Sequence, residues 1–215
     1  MLRKIFLLFK IAIFFNLLYF IIHKEWFAIF ICFLNFILCV VADIIQKKFK
    51  YSDFFHLLVY IFLIGSLLFG EVYYFYSKIW FFDVILHVLS SFIVSGLFIC
   101  IVKFFKYKVD GFMLIVCIFS FAMMIASLWE ITEFSIDKIF STDMQKDTVI
   151  NEINSIYLSN DGKSVVKRVI NNMSMGRYNI SGYLDIGLYD TMWDLICAVF
   201  GSLLFIVINK VKEAF

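Results

Sequence analysis

The stretch Phe81-Phe-Asp-Val-Ile-Leu-His-Val-Leu-Ser-Ser-Phe-Ile-Val-Ser-Gly-Leu-Phe-Ile-Cys-Ile-Val102 reads as a single membrane-spanning helix. At a rise of about 1.5 Å per residue a helix of this length crosses the roughly 30 Å hydrocarbon core of a bilayer. Its ionisable side chains, Asp83 and His87, stand together at its start, and the residues after them are apolar or small. Five further stretches read the same way: Ile5–Ile22, Trp26–Ala42, Phe54–Gly70, Phe112–Ile131 and Leu188–Ile208. In lipid a chain must satisfy its backbone hydrogen bonds internally, which a helix does. The expected fold is therefore all-α, a polytopic transmembrane helical bundle of six spans forming one membrane domain over residues 1–215. Composition points the same way, with 63% hydrophobic residues, 17% charged and a mean hydropathy of +0.95. That excludes an ordinary soluble globule.

Charge placement predicts the orientation. Arg3 and Lys4, then Lys47, Lys48 and Lys50, then Lys103, Lys106 and Lys108, then Lys210 and Lys212 fall at alternate span ends. The other short connections carry only Lys24 and Lys78. An excess of Lys and Arg marks cytoplasmic loops, so both termini are expected inside, in a bacterial cytoplasmic (inner) membrane. Trp26, Trp80, Trp129 and Trp193 map to the opposite ends, as an interfacial aromatic belt would. Arg3 and Lys4 before the first span resemble the start of a secretory signal, but no small-residue cleavage site comes after it, so a retained helix is expected. Lys10, inside the first span, is expected to snorkel to the interface. Asp43 and His56 are expected at the cytoplasmic interface and His23 in a loop.

Residues 138–187 form the one sizeable polar segment, expected as an outer loop between spans five and six. Within it, Thr148–Leu158 is read as an amphipathic helix lying at the interface, and Asn160-Asp-Gly162 as a turn. The five cysteines, Cys32, Cys39, Cys100, Cys117 and Cys197, all lie in apolar runs and are odd in number, so no disulfide framework is expected. A net charge of +2, with its basic residues in short clusters, gives no footprint for nucleic acid. The partner that the composition demands is the lipid bilayer.

The ionisable residues near the outer ends of spans four to six are the candidate site. Asp83 and His87 are spaced i, i+4, Glu130, Glu133 and Asp137 are spaced i, i+3, i+7, and Asp190 and Asp194 are again i, i+4. Each set therefore shares one helix face. Six carboxylates around one imidazole repel by several kcal/mol in a poorly solvated place unless protons or a cation neutralise them. Lys78 and Lys138 are too few to do so. One divalent metal ion, Mg2+, Mn2+, Ca2+ or Zn2+, suits an oxygen-rich set with an imidazole, and these seven residues are its candidate ligands. The alternative is that the outermost carboxylates merely sit in the wet headgroup layer, where charges cost little.

These residues also carry a likeness. The runs Phe82-Asp-Val-Ile-Leu-His-Val-Leu-Ser-Ser91, Leu128-Trp-Glu-Ile-Thr-Glu-Phe-Ser-Ile-Asp137, Asp143-Met-Gln-Lys-Asp-Thr148 and Leu184-Asp-Ile-Gly-Leu-Tyr-Asp-Thr-Met-Trp-Asp-Leu195 occur in that order. Over about residues 55 to 210 the chain resembles the YjdF-like family of uncharacterised bacterial inner-membrane proteins. It departs from that pattern at Ser90-Ser91 and at Cys197-Ala198. A looser similarity, through His87, Glu130, Gln145, Asp194 and Gly201, reaches the VanZ-like membrane proteins and implies a cell-envelope role.

Two functions compete on this reading. In one, the acidic and histidine cluster binds a metal that ties the helices to the outer loop. In the other, a metal-dependent hydrolase or transferase acts on a lipid or lipid-linked envelope substrate, with His87 or Glu130 as general base and Gln145 or Thr148 orienting the substrate. A purely structural or partner-binding membrane protein is the third reading.

Overall fold

The structure is a computed structural model that describes residues 2–209. Lys210 and Lys212, which contribute to the expected orientation, lie outside the described residues. Among the described residues, six helices are long and apolar enough to cross a membrane. They are α1 (Leu2–His23), α2 (Trp26–Phe49), α3 (Asp53–Leu63) with its π-helical continuation Ile64–Val72, α5 (Phe82–Phe104), α6 (Gly111–Phe140) and α7 (Leu188–Ile208). A short helix, α4 (Phe75–Lys78), precedes α5.

Several ends lie beyond the sequence expectation, and local chemistry explains them. Helix α2 runs through its lysines to Phe49, where Lys50, left-handed at φ 55°, donates its N–H to the Gln46 carbonyl at 2.7 Å. Ser52 caps α3 by accepting the Phe55 N–H at 3.2 Å, and Asp110 accepts the Phe112 N–H at 3.0 Å at the start of α6. Helix α6 continues past Ile131 to Phe140, because its polar residues lie on the helix and do not end it. Glu133 and Asp137 are thus helical.

The chain divides into two compact units, Met1–Ala126 with Asp194–Phe215, and Ser127–Trp193. In the first, one core joins Phe6, Ile13 and Phe20 of α1, spaced by sevens, to Cys32 and Cys39 of α2 and to Tyr60, Ile64 and Leu68 of the third span. A second core joins Val102 of α5 and Leu114 and Ile118 of α6 to Phe205 of α7. Outward faces stay apolar: Leu8, Phe15 and Ile22 of α1 are 62%, 64% and 76% exposed, a surface suited to lipid.

Helices α5 and α7 meet through small residues. Ser91 Oγ donates to the Ala198 carbonyl at 2.8 Å, Ser95 Oγ lies 3.2 Å from Ser202 Oγ, and Gly201 leaves room for the Val88 carbonyl. Close backbone approach with hydroxyl hydrogen bonds is how helices associate where no hydrophobic force separates them from lipid.

The second unit holds the end of α6, the start of α7 and three two-stranded antiparallel pairs. The first pairs β1 (Thr148–Ile150) with β6 (Tyr183–Asp185), the second β2 (Glu152–Ser155) with β3 (Val166–Val169), and the third β4 (Met173–Met175) with β5 (Tyr178–Ile180). This corrects the expectation of an amphipathic helix over Thr148–Leu158. The alternation of apolar and polar residues there has the period of a strand, two residues, and its partners lie later in the chain. Near the tip, Asp161 accepts the backbone N–H groups of Lys163 and Ser164 at 2.9 and 2.8 Å and the Ser164 hydroxyl, with Gly162 at φ 63°.

Candidate functional site

Three of the predicted ligands come together in the first unit. Asp83 and His87 lie one helical turn apart on α5, and the packing of α7 against α5 brings Asp194 to them. His87 Nε2 lies 3.4 Å from Asp83 Oδ1 and 3.5 Å from Asp194 Oδ2. Donor atoms of all three lie within 4.8 Å of one another. The Asp194 side chain is 4% exposed, and those of His87 and Asp83 are 13% and 16% exposed. Both distances exceed the usual 2.7–3.2 Å of an N–H···O bond. A ring nitrogen carries at most one proton, so its N–H can only be shared between the two carboxylates as a long three-centre bond.

The remaining candidates belong to the second unit. Glu130 and Glu133, on α6, are both buried, and Trp129 Nε1 donates to Glu133 Oε1 at 2.8 Å. Asp137 works on the chain that leaves α6. Its Oδ1 accepts from Thr142 Oγ1 at 2.8 Å and from the Met144 N–H at 2.7 Å, and its Oδ2 accepts from the Gln145 N–H at 2.9 Å. Asp190 Oδ2 accepts the Lys146 N–H at 3.0 Å, tying the same segment to α7. Gln145 Nε2 donates to Thr191 Oγ1 at 2.6 Å, and Thr148 stands in β1 opposite Asp185. Gly187 completes this turn: its φ of 104° suits glycine, and a Cβ there would stand 2.6 Å from Gln145 Cβ. In the same segment burial, with Asp147 and Asp137 nearby, pushes the Asp143 carboxyl up from its ordinary value.

A polar network that the sequence reading missed lies in the first unit. Lys10 of α1 is paired: its Nζ donates to Asp43 Oδ2 of α2 at 2.6 Å. Asp43 Oδ1 accepts from the Tyr60 hydroxyl at 2.8 Å and faces His56 Nε2 at 3.0 Å. His56 is fully buried, and its Nδ1 lies 3.3 Å from the Tyr51 hydroxyl. The available signal was one positive and one negative residue inside separate apolar runs, with His56 and Tyr60 at i, i+4 on a third. Such groups in lipid must find each other.

Six helices among the described residues that are long and apolar enough to cross a bilayer define a membrane protein. The family model described as "Predicted membrane protein (DUF2238)" matches residues 2–213, and the chain belongs to that family. No curated protein and no solved structure matches the chain.

Proposed function

We propose that the protein binds one divalent metal ion through Asp83, His87 and Asp194, with both termini on the cytoplasmic side and this cluster at the outer face of a bacterial inner membrane. The observation that carries the reading is the single imidazole nitrogen facing two carboxylates at 3.4 and 3.5 Å. Two donors each about 2.1 Å from a tetrahedral centre lie about 3.4 Å apart, which is the spacing zinc imposes. The imidazole favours Zn2+ or Mn2+ over Ca2+ and Mg2+. All three donors fall inside the motifs on which the likeness to the YjdF-like proteins rests.

Three protein donors leave a coordination position for a water or an oxygen of a lipid headgroup. A hydrolase or transferase acting on a lipid-linked envelope substrate would work there. Binding is the better supported role, because Gln145, the candidate substrate-orienting side chain, is held by Thr191. The test is thermal unfolding of the detergent-purified protein with chelator and with Zn2+ or Mn2+ restored. Chelation is expected to lower the midpoint of the wild type, metal to restore it, and His87→Ala to respond to neither. A wild-type midpoint indifferent to chelator and to both metals would refute the proposal.

A further inference from the structure

His56 is fully buried in α3, yet both nitrogens of its ring have partners. Nε2 faces Asp43 Oδ1 at 3.0 Å, and Asp43 also accepts from Lys10 Nζ and from the Tyr60 hydroxyl. An ionised carboxylate can only accept, so the hydrogen between it and Nε2 belongs to the ring, and Nδ1 of the neutral ring is left as an acceptor. The Tyr51 hydroxyl lies 3.3 Å from Nδ1 and 3.4 Å from the Ala42 carbonyl oxygen. It has one hydrogen for these two acceptors. Burial pushes the Tyr51 phenol, which lies between the second and third spans, up to about 12, so it keeps that hydrogen near neutral pH. A second hydrogen fits here without moving a heavy atom: Nδ1–H donates to the Tyr51 oxygen, and the Tyr51 hydroxyl turns to Ala42.

The other charged and titratable groups come from each element packed on α3. Helix α1 brings Lys10, against Asp43 Oδ2, and the Phe6 ring, edge-on and 4.7 Å from the centre of the imidazole, while Arg3 and Lys4 at its start are exposed. Helix α2 brings Asp43 and Cys39, whose carbonyl lies 3.4 Å from the Tyr60 hydroxyl. Helix α3 itself carries Tyr60 and Asp53, the latter held by Gln46 Nε2 at 2.9 Å. From α5, Cys100 acts on Tyr51, and Lys103 lines the same cavity as Tyr51. In the π-helical continuation of α3, Glu71 stands at the far end.

We infer that His56 is a proton-binding site: Nδ1 takes up a proton from water, Tyr51 accepts the resulting N–H, and the Tyr51 hydroxyl passes to Ala42, while Asp43 holds the Nε2 hydrogen throughout. Both states leave every hydrogen of the ring and of Tyr51 with an acceptor, which is what a buried ring needs if it is to change charge without opening the fold. Water reaches the network at Lys10 and Asp43, whose side chains are 22% and 25% exposed. Uptake changes what Tyr51 holds. In the neutral state it ties the turn after α2 to α3, and in the protonated state to α3 and to the Ala42 carbonyl of α2 together. The site shares no residue with the Asp83–His87–Asp194 cluster.

The test is nitrogen NMR of the full chain, labelled with 15N-histidine and purified in detergent, followed on acidification beside its far-UV circular dichroism. His23→Gln and His87→Gln assign the His56 signals by elimination. At alkaline pH the His56 ring is expected to carry its hydrogen on Nε2 alone. As the pH falls Nδ1 should gain a proton and Nε2 keep its own, with the helical dichroism unchanged. A hydrogen bond to a charged group is stronger than one between neutral groups, so Tyr51→Phe should weaken proton binding by about tenfold. Lys10→Met removes the cation that shares Asp43 and should strengthen it. An Nδ1 that stays without a proton at every pH where the dichroism shows the fold intact would overturn the inference. So would a neutral ring protonated on Nδ1, or a Tyr51→Phe protein that binds the proton as the wild type does. The wild-type titration decides the matter even if neither variant folds.

Discussion

Gly201 packs against the backbone of Val88: a Cβ at residue 201 would stand 2.1 Å from the Val88 carbonyl oxygen. Neither atom can rotate away, so the helices themselves would have to separate. Separation would also stretch the Ser91 hydrogen bond to Ala198 and the Ser95–Ser202 contact. Gly201→Ala is therefore expected to destabilise at the upper end of the overpacking range of about 1–3 kcal/mol. Ser202→Ala, which deletes one interhelical hydroxyl, should cost about 0.6 kcal/mol. Unfolding in detergent ranks the two, and a Gly201→Ala protein as stable as Ser202→Ala would contradict this contact.

The Lys10–Asp43 pair makes a different kind of prediction. With side chains 22% and 25% exposed, it lies between surface pairs and fully buried ones. Removing Lys10 alone leaves Asp43 charged among His56, Tyr60 and apolar neighbours. Lys10→Met should therefore destabilise more than Lys10→Met/Asp43→Asn, with a coupling of about 1–3 kcal/mol in a double-mutant cycle. Additive effects would mean that the two charges do not depend on each other.

Asp161 lies outside the membrane spans and tests the tip of the second unit by pH. Hydrogen bonds from the Ser164 hydroxyl and from the Ser164 and Lys163 N–H groups hold its carboxyl well below the ordinary aspartate value of 3.8. A depressed folded value contributes stability that is present above the unfolded value and is lost as pH falls through the folded one. Carboxyl carbon NMR should therefore show Asp161 still ionised at pH 3.8. The Lys163 and Ser164 amide signals should shift only at lower pH. A midpoint near 3.8 would mean that these bonds do not persist.

The orientation has its own check. Asn160→Cys, placed in the proposed outer segment, should label in intact cells with a membrane-impermeant thiol reagent. Labelling that appears only after lysis would put the segment, and Asp83, His87 and Asp194 with it, on the inner side.

The spans were legible because an apolar run of about 20 residues has few alternatives to crossing a bilayer. Their ends were less so. The stretch from Thr132 to Phe140 reads as polar, yet Thr132 and Ser135 return their hydroxyls to the Leu128 and Ile131 carbonyls, at 2.7 and 2.6 Å, and the helix runs on. Strand pairing escaped the reading because Thr148 meets Asp185 across a long intervening segment, a register that no local pattern encodes. Helical spacing was enough to put Asp83 and His87 on one face. That Asp137 and Asp190 hold backbone N–H groups was not readable, because such partners have no residue type. The Lys10–Asp43–His56 network was missed because each member, taken alone, looks like an interface residue. Only helix packing joins the three.

Metal content decides whether Asp83, His87 and Asp194 hold an ion, measured by inductively coupled plasma mass spectrometry on protein purified in detergent without added chelator. About one divalent ion per chain is expected in the wild type, and loss of nearly all of it in Asp83→Asn/His87→Ala/Asp194→Asn. A wild type without metal, or a variant that keeps the same ion at the same stoichiometry, would contradict it.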